Sequence, residues 1–186
     1  SLEGLLQLWS DLRQRLLDAR LYACFVDQEM RLLPALAAMQ SAGFLVDAQL
    51  LRQHHRAVAV KMELLQTDAC ALLGRDVNLG SPAQMAAVGF DDLRLQPPSS
   101  SGRTATGARL KLTKDVLTEL RAVHPIAAMV LQYRKLQKLQ GVWIEGLLQH
   151  VGPDGRLRTQ WSQISTATGR LASNHPNMQN LPRAPL

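Results

Sequence analysis

Apolar residues return every three or four positions along most of this chain, and this spacing constrains the fold more than any other feature. It predicts amphipathic helices that each bury one side. The opening helix carries Leu5, Trp9, Leu12 and Leu16 on its apolar side, and further helices are expected over about 27–42, 48–73, from 82, from 114 and over about 126–151. We therefore predict a mainly α fold.

Residues that begin and end helices support this division of the chain. The expected N-caps are Asp47, Ser81 and Thr113, with Pro82 at a first helical position. Glycines at helix ends favour termination, and the expected stops are Gly43 and Gly74. Gly89 is expected to interrupt the short helix that starts at Pro82.

Two stretches depart from the helical pattern. Residues 96–112 are rich in Pro and Ser and then in basic residues, which is typical of a long mobile loop. After a tight turn at 152–155, Leu157, Thr159 and Trp161 alternate with polar residues, as in a β-strand. We expect the remainder of the chain to be irregular.

The charge of the chain is unevenly distributed. The net charge is +6, yet residues 1–92 carry a net −3 and residues 93–186 a net +9. No carboxylate follows Asp154, whereas Arg156, Arg158, Arg170 and Arg183 do. One-sided positive charge attracts polyanions, of which nucleic acid is the commonest. A solvated basic surface is the alternative interpretation.

The sequence lacks the patterns that mark several common classes of functional site. There is no glycine-rich phosphate loop and no metal-ligand spacing, and neither Cys24 and Cys70 nor His54 and His55 have suitable partners. We interpret both histidines as surface residues. No apolar run approaches the roughly 20 residues that cross a bilayer, so we expect a soluble intracellular protein with no membrane partner.

A basic stretch of the longest helix is the first candidate binding site. Arg134 and Lys138 lie four residues apart, hence on one helix face, while Tyr133 and Leu136 turn toward the core. No carboxylate occurs between Glu119 and Glu145 to neutralise this face. Two exposed cations one turn apart suit neighbouring phosphates, although a solvated helix face would have the same composition.

The second candidate lies near the C-terminus, in residues 165–182. Arg170, Asn177, Gln179 and Asn180 carry side chains that bind base edges or backbone oxygens of nucleic acids. By composition alone this segment is a polar loop.

The order of residues in that segment is more specific than its composition. Thr-Ala-Thr-Gly-Arg-Leu, three further residues and His-Pro-Asn-Met-Gln-Asn-Leu-Pro closely resemble the start of the palm of family A DNA polymerases. Residues 29–47, 78–85 and 130–139 resemble thumb motifs of the same family, in the same order. The resemblance covers about residues 20–186.

The resemblance implies a subdomain layout. Residues 1–19 would be a linker helix or the end of an exonuclease-like domain, and residues 20–151 a helical thumb with long antiparallel helices and a mobile loop at 96–112. Residues 152–186 would begin the palm and supply a short β-element.

The resemblance also implies roles for individual residues. Arg134 and Lys138 would hold the backbone of the duplex, and Ser81 and Gln84 would touch it from the thumb tip. Arg170 would enter the minor groove beside the primer terminus. The remaining expected DNA-binding residues are Lys111, Asn177, Gln179 and Asn180. Departures from the motifs at Gln132, at Gly80 and over 125–128 leave those positions without an assigned role.

The expected partner is a primer–template duplex, bound by a piece of a DNA-directed DNA polymerase. Deoxynucleotides and two Mg²⁺ ions would act only in the intact enzyme, because the catalytic Asp residues of the family are expected beyond Pro182. We expect no catalytic residue and no cofactor in this chain, which would be inactive alone and open to self-association through the exposed palm segment.

Finer features favour polymerases theta and nu, and a role in repair or replication. These features are the sequences at 114–117, 124–125 and 143–148 and the loop at 96–112. The expected location is then the nucleus, with the mitochondrion second. Two alternatives from other classes are a non-catalytic basic helical nucleic-acid-binding module and a scaffold domain that meets an acidic protein.

Overall fold

The structure is a computed structural model that describes residues 1–96 and 112–182. These residues form a mainly α fold, as predicted, and contain two small antiparallel sheets. They divide into two compact units, one made of Ser1–Val46 and His150–Leu181 and the other containing Asp47–Gln149. Residues 97–111 of the expected loop lie outside the described residues. The subdomain boundaries at 19/20 and 151/152 stay predictions.

The first unit begins with two helical stretches. Helix α1 spans Leu2–Asp18, and a second stretch runs without a break through α2 (Tyr22–Cys24), a π-helical segment (Phe25–Glu29) and α3 (Met30–Ala42). Both expected helices are therefore present, the second beginning five residues earlier than predicted. The apolar side of α1 remains largely exposed.

A short sheet follows α3 and depends on Gly43. Strand β1 (Phe44–Leu45) pairs antiparallel with β2 (Arg156–Leu157), placing Phe44 opposite Leu157. Gly43 has φ +61 and ψ −175, a backbone region that is essentially restricted to glycine. A Cβ at this position would stand 2.7 Å from the carbonyl oxygen of Leu157. The predicted stop is confirmed, and strand pairing adds a second requirement for glycine.

Two arginines of the basic C-terminal region hold the end of α3. Arg156 Nη1 donates to the carbonyl of Ala42 at 3.0 Å, and Arg158 Nε donates to that of Ser41 at 2.9 Å. Arg158 also pairs with Asp154 at 2.6 Å. These guanidinium groups therefore have partners within the chain, which the charge count could not reveal.

A second sheet contradicts the expectation that the C-terminal segment is wholly irregular. Strand β3 (Gln160–Ser162) pairs antiparallel with β4 (Ala172–Asn174), with Trp161 opposite Ser173. The predicted alternation is confirmed at Leu157 and Thr159, which are both buried. The polar sequence of β4 concealed a strand because its buried Ser173 bonds to other parts of the chain rather than to an apolar core.

The second unit is helical. Helix α4 (Ala48–Leu73) is followed by α5 (Pro82–Ala86), which continues as a π-helical segment (Ala87–Asp92), and by α6 (Lys114–Leu120). The final stretch joins α7 (Pro125–Lys138), a π-helical segment (Leu139–Glu145) and α8 (Gly146–Leu148). The expected helix over 126–151 is thus present but ends three residues earlier.

The predicted caps of this unit are confirmed. The side chains of Asp47, Ser81 and Thr113 accept hydrogen bonds from the backbone N–H groups of Leu50, Gln84 and Val116 respectively. Gly74 ends α4 in a left-handed conformation, with φ +65.

Two expectations about this unit are wrong. Gly89 does not interrupt its helix, because it lies buried within the π-helical continuation of α5. Leu112, the last residue of the expected loop, is buried and joins the core. That core draws residues from α4, from α5 and its π-helical continuation, from α6 and α7, and from the segments that precede α5 and α6. Its members are Ala69, Val77, Leu79, Met85, Ala86, Val88, Leu112, Val116, Leu117, Leu120, Ile126, Ala127 and Val130.

Replacing Gly43 by Ala should destabilise the first unit. The strained backbone alone costs about 1–3 kcal/mol, and the contact with the Leu157 carbonyl adds to it. The Gly4→Ala variant of α1 is the matched control, since alanine favours a helix there. Chemical denaturation followed by circular dichroism measures both variants. Equal stability of the two would contradict the packing described for Gly43.

Asp154 should titrate far below an ordinary carboxyl group. Hydrogen bonds from the Arg158 side chain and the Arg156 backbone lower the pKa of Asp154 from 3.8 to about 2. The stabilisation is therefore present above about pH 3.8 and is lost as pH falls through about 2. An NMR titration of the carboxyl carbon measures the midpoint, which Arg158→Gln should raise. A wild-type midpoint near 3.8 would contradict the pairing.

Candidate nucleic-acid interface

The buried side of α7 determines which of its cations reach solvent. Ile126, Ala127 and Val130 are buried in the core of the second unit. Arg134 lies four residues beyond Val130 and continues the same side of the helix. The helical period therefore directs Arg134 toward the protein interior.

Arg134 is half-buried, which contradicts the expectation that it is exposed. Its Nη1 donates to the carbonyl of Leu112 at 2.6 Å. Its Nη2 is inaccessible to solvent and has no hydrogen-bond partner among the described residues. Burial lowers the pKa of the guanidinium. In this structure Arg134 connects α7 to the segment that precedes α6.

Lys135 and Lys138 are the exposed cations of α7. They are three residues apart, so their side chains project from neighbouring positions on one helix face. Neither ammonium group has an ion-pair partner among the described residues. Both lie in the last turn of α7, which continues directly into the π-helical segment. Lys135 was absent from the predicted site, although its spacing from Lys138 was visible in the sequence.

The loop before α5 is held together by its own polar side chains. Ser81 accepts from the Gln84 N–H at 3.3 Å, and Gln84 Oε1 accepts from the Asn78 N–H at 2.8 Å. The Gln84 side chain is exposed, and its amide nitrogen has no partner among the described residues. Ser81 thus caps a helix, while Gln84 retains a donor for another molecule.

Gln66 supports the same loop from α4 and was not predicted. Its Oε1 accepts from the Leu79 N–H at 3.1 Å, and its Nε2 donates to the carbonyl of Val77. Gly80 brings the loop close to α7, because a Cβ there would lie 3.4 Å from the Tyr133 ring. No local pattern marks Gln66 as a support of this loop, since its two partners in the loop lie 11 and 13 residues away in the chain.

In the first unit, Gln179 organises the loop that follows β4. Its Oε1 accepts from the Ser173 N–H at 3.0 Å, and its Nε2 donates to the carbonyl of Leu171 at 2.8 Å. Asn177 Oδ1 accepts from the Gln179 N–H at 3.0 Å. These two side chains therefore shape the loop.

Arg170 and Asn180 of the same unit are exposed, and their side chains have no partner among the described residues. The Thr166 hydroxyl donates to the Arg170 carbonyl at 2.6 Å and closes the turn, in which Gly169 has φ +71. The turn leaves the Arg170 guanidinium free to bind another molecule.

The predicted residues therefore fall into two groups. Ser81, Gln84, Arg134 and Lys138 belong to the second unit, and Arg170, Asn177, Gln179 and Asn180 belong to the first. Lys111 lies outside the described residues.

His55 is half-buried rather than a plain surface residue, and His54 is half-buried as well. The Nε2 atom of His55 lies 2.7 Å from Glu145 Oε1 and 3.1 Å from Gln140 Nε2. This contact ties α4 to the π-helical segment after α7. Sequence spacing could not predict it because its members are about 90 residues apart.

Residues 1–96 and 112–182 contain neither a candidate metal site nor a membrane-spanning helix. No group of three or more His, Cys, Asp or Glu side chains is placed to hold a metal ion. No helix in that part of the chain is long and apolar enough to cross a membrane.

Comparison with known proteins decides the family. The sequence model of the family described as DNA polymerase family A matches residues 48–185 of this chain. The chain belongs to DNA polymerase family A. It is 36% identical to DNA polymerase I of Treponema pallidum over 176 residues, covering 95% of this chain and 17% of that protein. It is 39% identical to DNA polymerase I of Pseudomonas aeruginosa over 158 residues, covering 84% and 17%.

A solved structure extends this family A assignment to the fold. The POL domain of Pol1 from M. smegmatis, in complex with DNA primer-template and dNTP, superposes with a TM-score of 0.83 at 34% identity. The match covers 95% of this chain and 30% of that one. The family A chain thus spans about a sixth of the length of the two polymerases compared and less than a third of the solved domain.

The relatives correct one expectation and leave another without support. They come from bacteria, so the predicted nuclear or mitochondrial location is wrong. The relatives are named DNA polymerase I, and the preference for polymerases theta and nu finds no support among them.

Replacing Arg134 by Ala should destabilise the second unit. It leaves the Leu112 carbonyl without its donor, at a cost of about 1–3 kcal/mol. The Lys138→Ala variant, which removes an exposed cation from the same helix, should change the free energy of unfolding by less than about 0.5 kcal/mol. Urea denaturation measures both. Equal effects would contradict the structural role of Arg134.

Proposed function

We propose that this chain grips primer–template duplex as the thumb and the start of the palm of a DNA polymerase. The observation that carries the proposal is the exposed, unpaired cation pair Lys135–Lys138 on α7. Sequence similarity to DNA polymerase I and the fold shared with a polymerase domain bound to primer-template support it.

The cation pair suits the backbone of a duplex. Three residues of helix separate Lys135 and Lys138 by about 4.5 Å along the axis, and long flexible side chains bring both ammonium groups to neighbouring phosphates. Such contacts release condensed counterions and carry no sequence preference. Gln84 would add a neutral donor from the loop before α5.

Arg170 is proposed as the minor-groove contact. A guanidinium can donate to the N3 and O2 acceptors that both A·T and T·A pairs present in that groove. Asn180 would bind beside it. Gln179 and Asn177, whose side chains bond within the loop, would act by positioning these two residues.

In the intact protein we propose template-directed addition of deoxynucleotides to a primer. The family implies two Mg²⁺ ions, but the described residues include no carboxylate cluster that would hold them. This 186-residue chain should not extend a primer alone. Self-association through residues 156–186 stays a prediction that sedimentation velocity can check.

The double variant Lys135→Ala/Lys138→Ala should weaken binding to a primer–template duplex. Removing two phosphate contacts should reduce the slope of log affinity against log salt by about 2. Fluorescence anisotropy with a labelled duplex at several salt concentrations measures both quantities.

The matched control is Lys61→Ala/Arg121→Ala, which removes the same charge from exposed positions on α4 and at the end of α6. Because these positions lie outside the proposed contact, the control should keep nearly the full salt slope. If both double variants lose the same amount of the slope of log affinity against log salt, the loss reflects net charge alone, and the proposed contact is contradicted.

A further inference from the structure

The first half of α4 is basic although the surrounding half of the chain is acidic. Residues 48–62 include Arg52, Arg56 and Lys61 and contain no Asp or Glu, whereas residues 1–92 carry a net charge of −3. Arg52 and Arg56 are exposed and lie four residues apart, on one face of the helix. A local excess of positive charge therefore occurs away from Lys135 and Lys138 in the sequence.

These two arginines line a cleft of about 400 Å³ between α4 and the end of the last helical stretch. The cleft is wide open to solvent rather than enclosed. The residues that line it are Arg52, His55, Arg56, Glu145, Leu148 and Gln149.

The hydrogen bonds of the cleft leave its positive charge available. Glu145 is the one carboxylate of the lining, and His55 Nε2 lies 2.7 Å from its Oε1. The Arg52 and Arg56 guanidinium groups have no ion-pair partner among the described residues. Counting histidine as neutral, two arginines and one carboxylate leave the lining positive, and Gln149 offers an additional amide donor.

We propose that this cleft binds a phosphate group. Arginine presents a planar fork of donors that matches phosphate oxygens, and two arginines one turn apart can hold one phosphate or a pair of linked phosphates. The phosphate belongs either to a nucleic-acid backbone or to a free polyphosphate such as a nucleotide. Neither Lys135 nor Lys138 lines the cleft. An experiment that disproves phosphate binding by the cleft therefore leaves the proposed duplex grip by Lys135 and Lys138 untouched.

Inorganic pyrophosphate is the probe for the cleft. Calorimetric titration should show binding to the wild-type chain and a loss of at least about tenfold in affinity for Arg52→Gln/Arg56→Gln, because two charge-assisted contacts are removed. The charge-matched control Lys61→Gln/Arg121→Gln should change the affinity less than about twofold. Circular dichroism should show unchanged helix content in both variants, since all four side chains are exposed.

A second arm identifies the source of the phosphate. If Arg52→Gln/Arg56→Gln also weakens binding to a DNA duplex, the cleft takes a nucleic-acid phosphate; if duplex affinity is unchanged, it takes a free polyphosphate. No pyrophosphate binding by the wild type, or equal loss in the two double variants, would overturn the site. Failure of the duplex grip would instead appear in the Lys135→Ala/Lys138→Ala variant.

Discussion

The burial of one side of α7 is the constraint on which the candidate interface depends. Ile126, Ala127 and Val130 pack into the core of the second unit, and the helical period then carries Arg134 inward. Arg134 Nη1 donates a hydrogen bond to the Leu112 carbonyl at 2.6 Å, which satisfies one side of the buried guanidinium and leaves Nη2 without a partner among the described residues. The orientation of α7 about its axis that buries its apolar side also leaves Lys135 and Lys138 in solvent. One helix orientation therefore accounts both for the packing of the apolar side and for the exposure of the positive charge.

Features with local causes could be predicted from the sequence. The caps at Asp47, Ser81 and Thr113 depend on a side chain and a backbone group three residues away, so their patterns were sufficient. The burial of Arg134 depends on Leu112, 22 residues earlier, and the contact of His55 on Glu145, 90 residues later. No periodic pattern encodes such pairs. Strand β4 was missed for a related reason. It is held by hydrogen bonds from the Ser173 N–H to Gln179 Oε1 and from the Met178 N–H to the Ser173 hydroxyl, and not by an apolar face that a sequence pattern would show.

Charge illustrates the same division between sequence and structure. The excess of cations in the C-terminal half suggested a polyanion as partner, yet it overstated the number of cations that are free to bind. Arg156 and Arg158 hold backbone carbonyls at the end of α3. The charges that remain available on the described part of the chain include Lys135, Lys138 and Arg170. The packing of α7 keeps the two lysines exposed, and the turn at Gly169 keeps Arg170 exposed. Net charge therefore suggested the class of partner that we propose, while tertiary structure selected the residues that remain available to bind it.

Lysine labelling with mass spectrometry tests the central claim most directly, because it reads individual ammonium groups in the folded chain. The chain is exposed to an amine-reactive reagent with and without a primer–template duplex, and the reactivity of each lysine is compared. We predict that the duplex protects Lys135 and Lys138 while Lys61 and Lys114 keep their reactivity. Protection of Lys61 and Lys114 with no change at Lys135 and Lys138 would contradict the account.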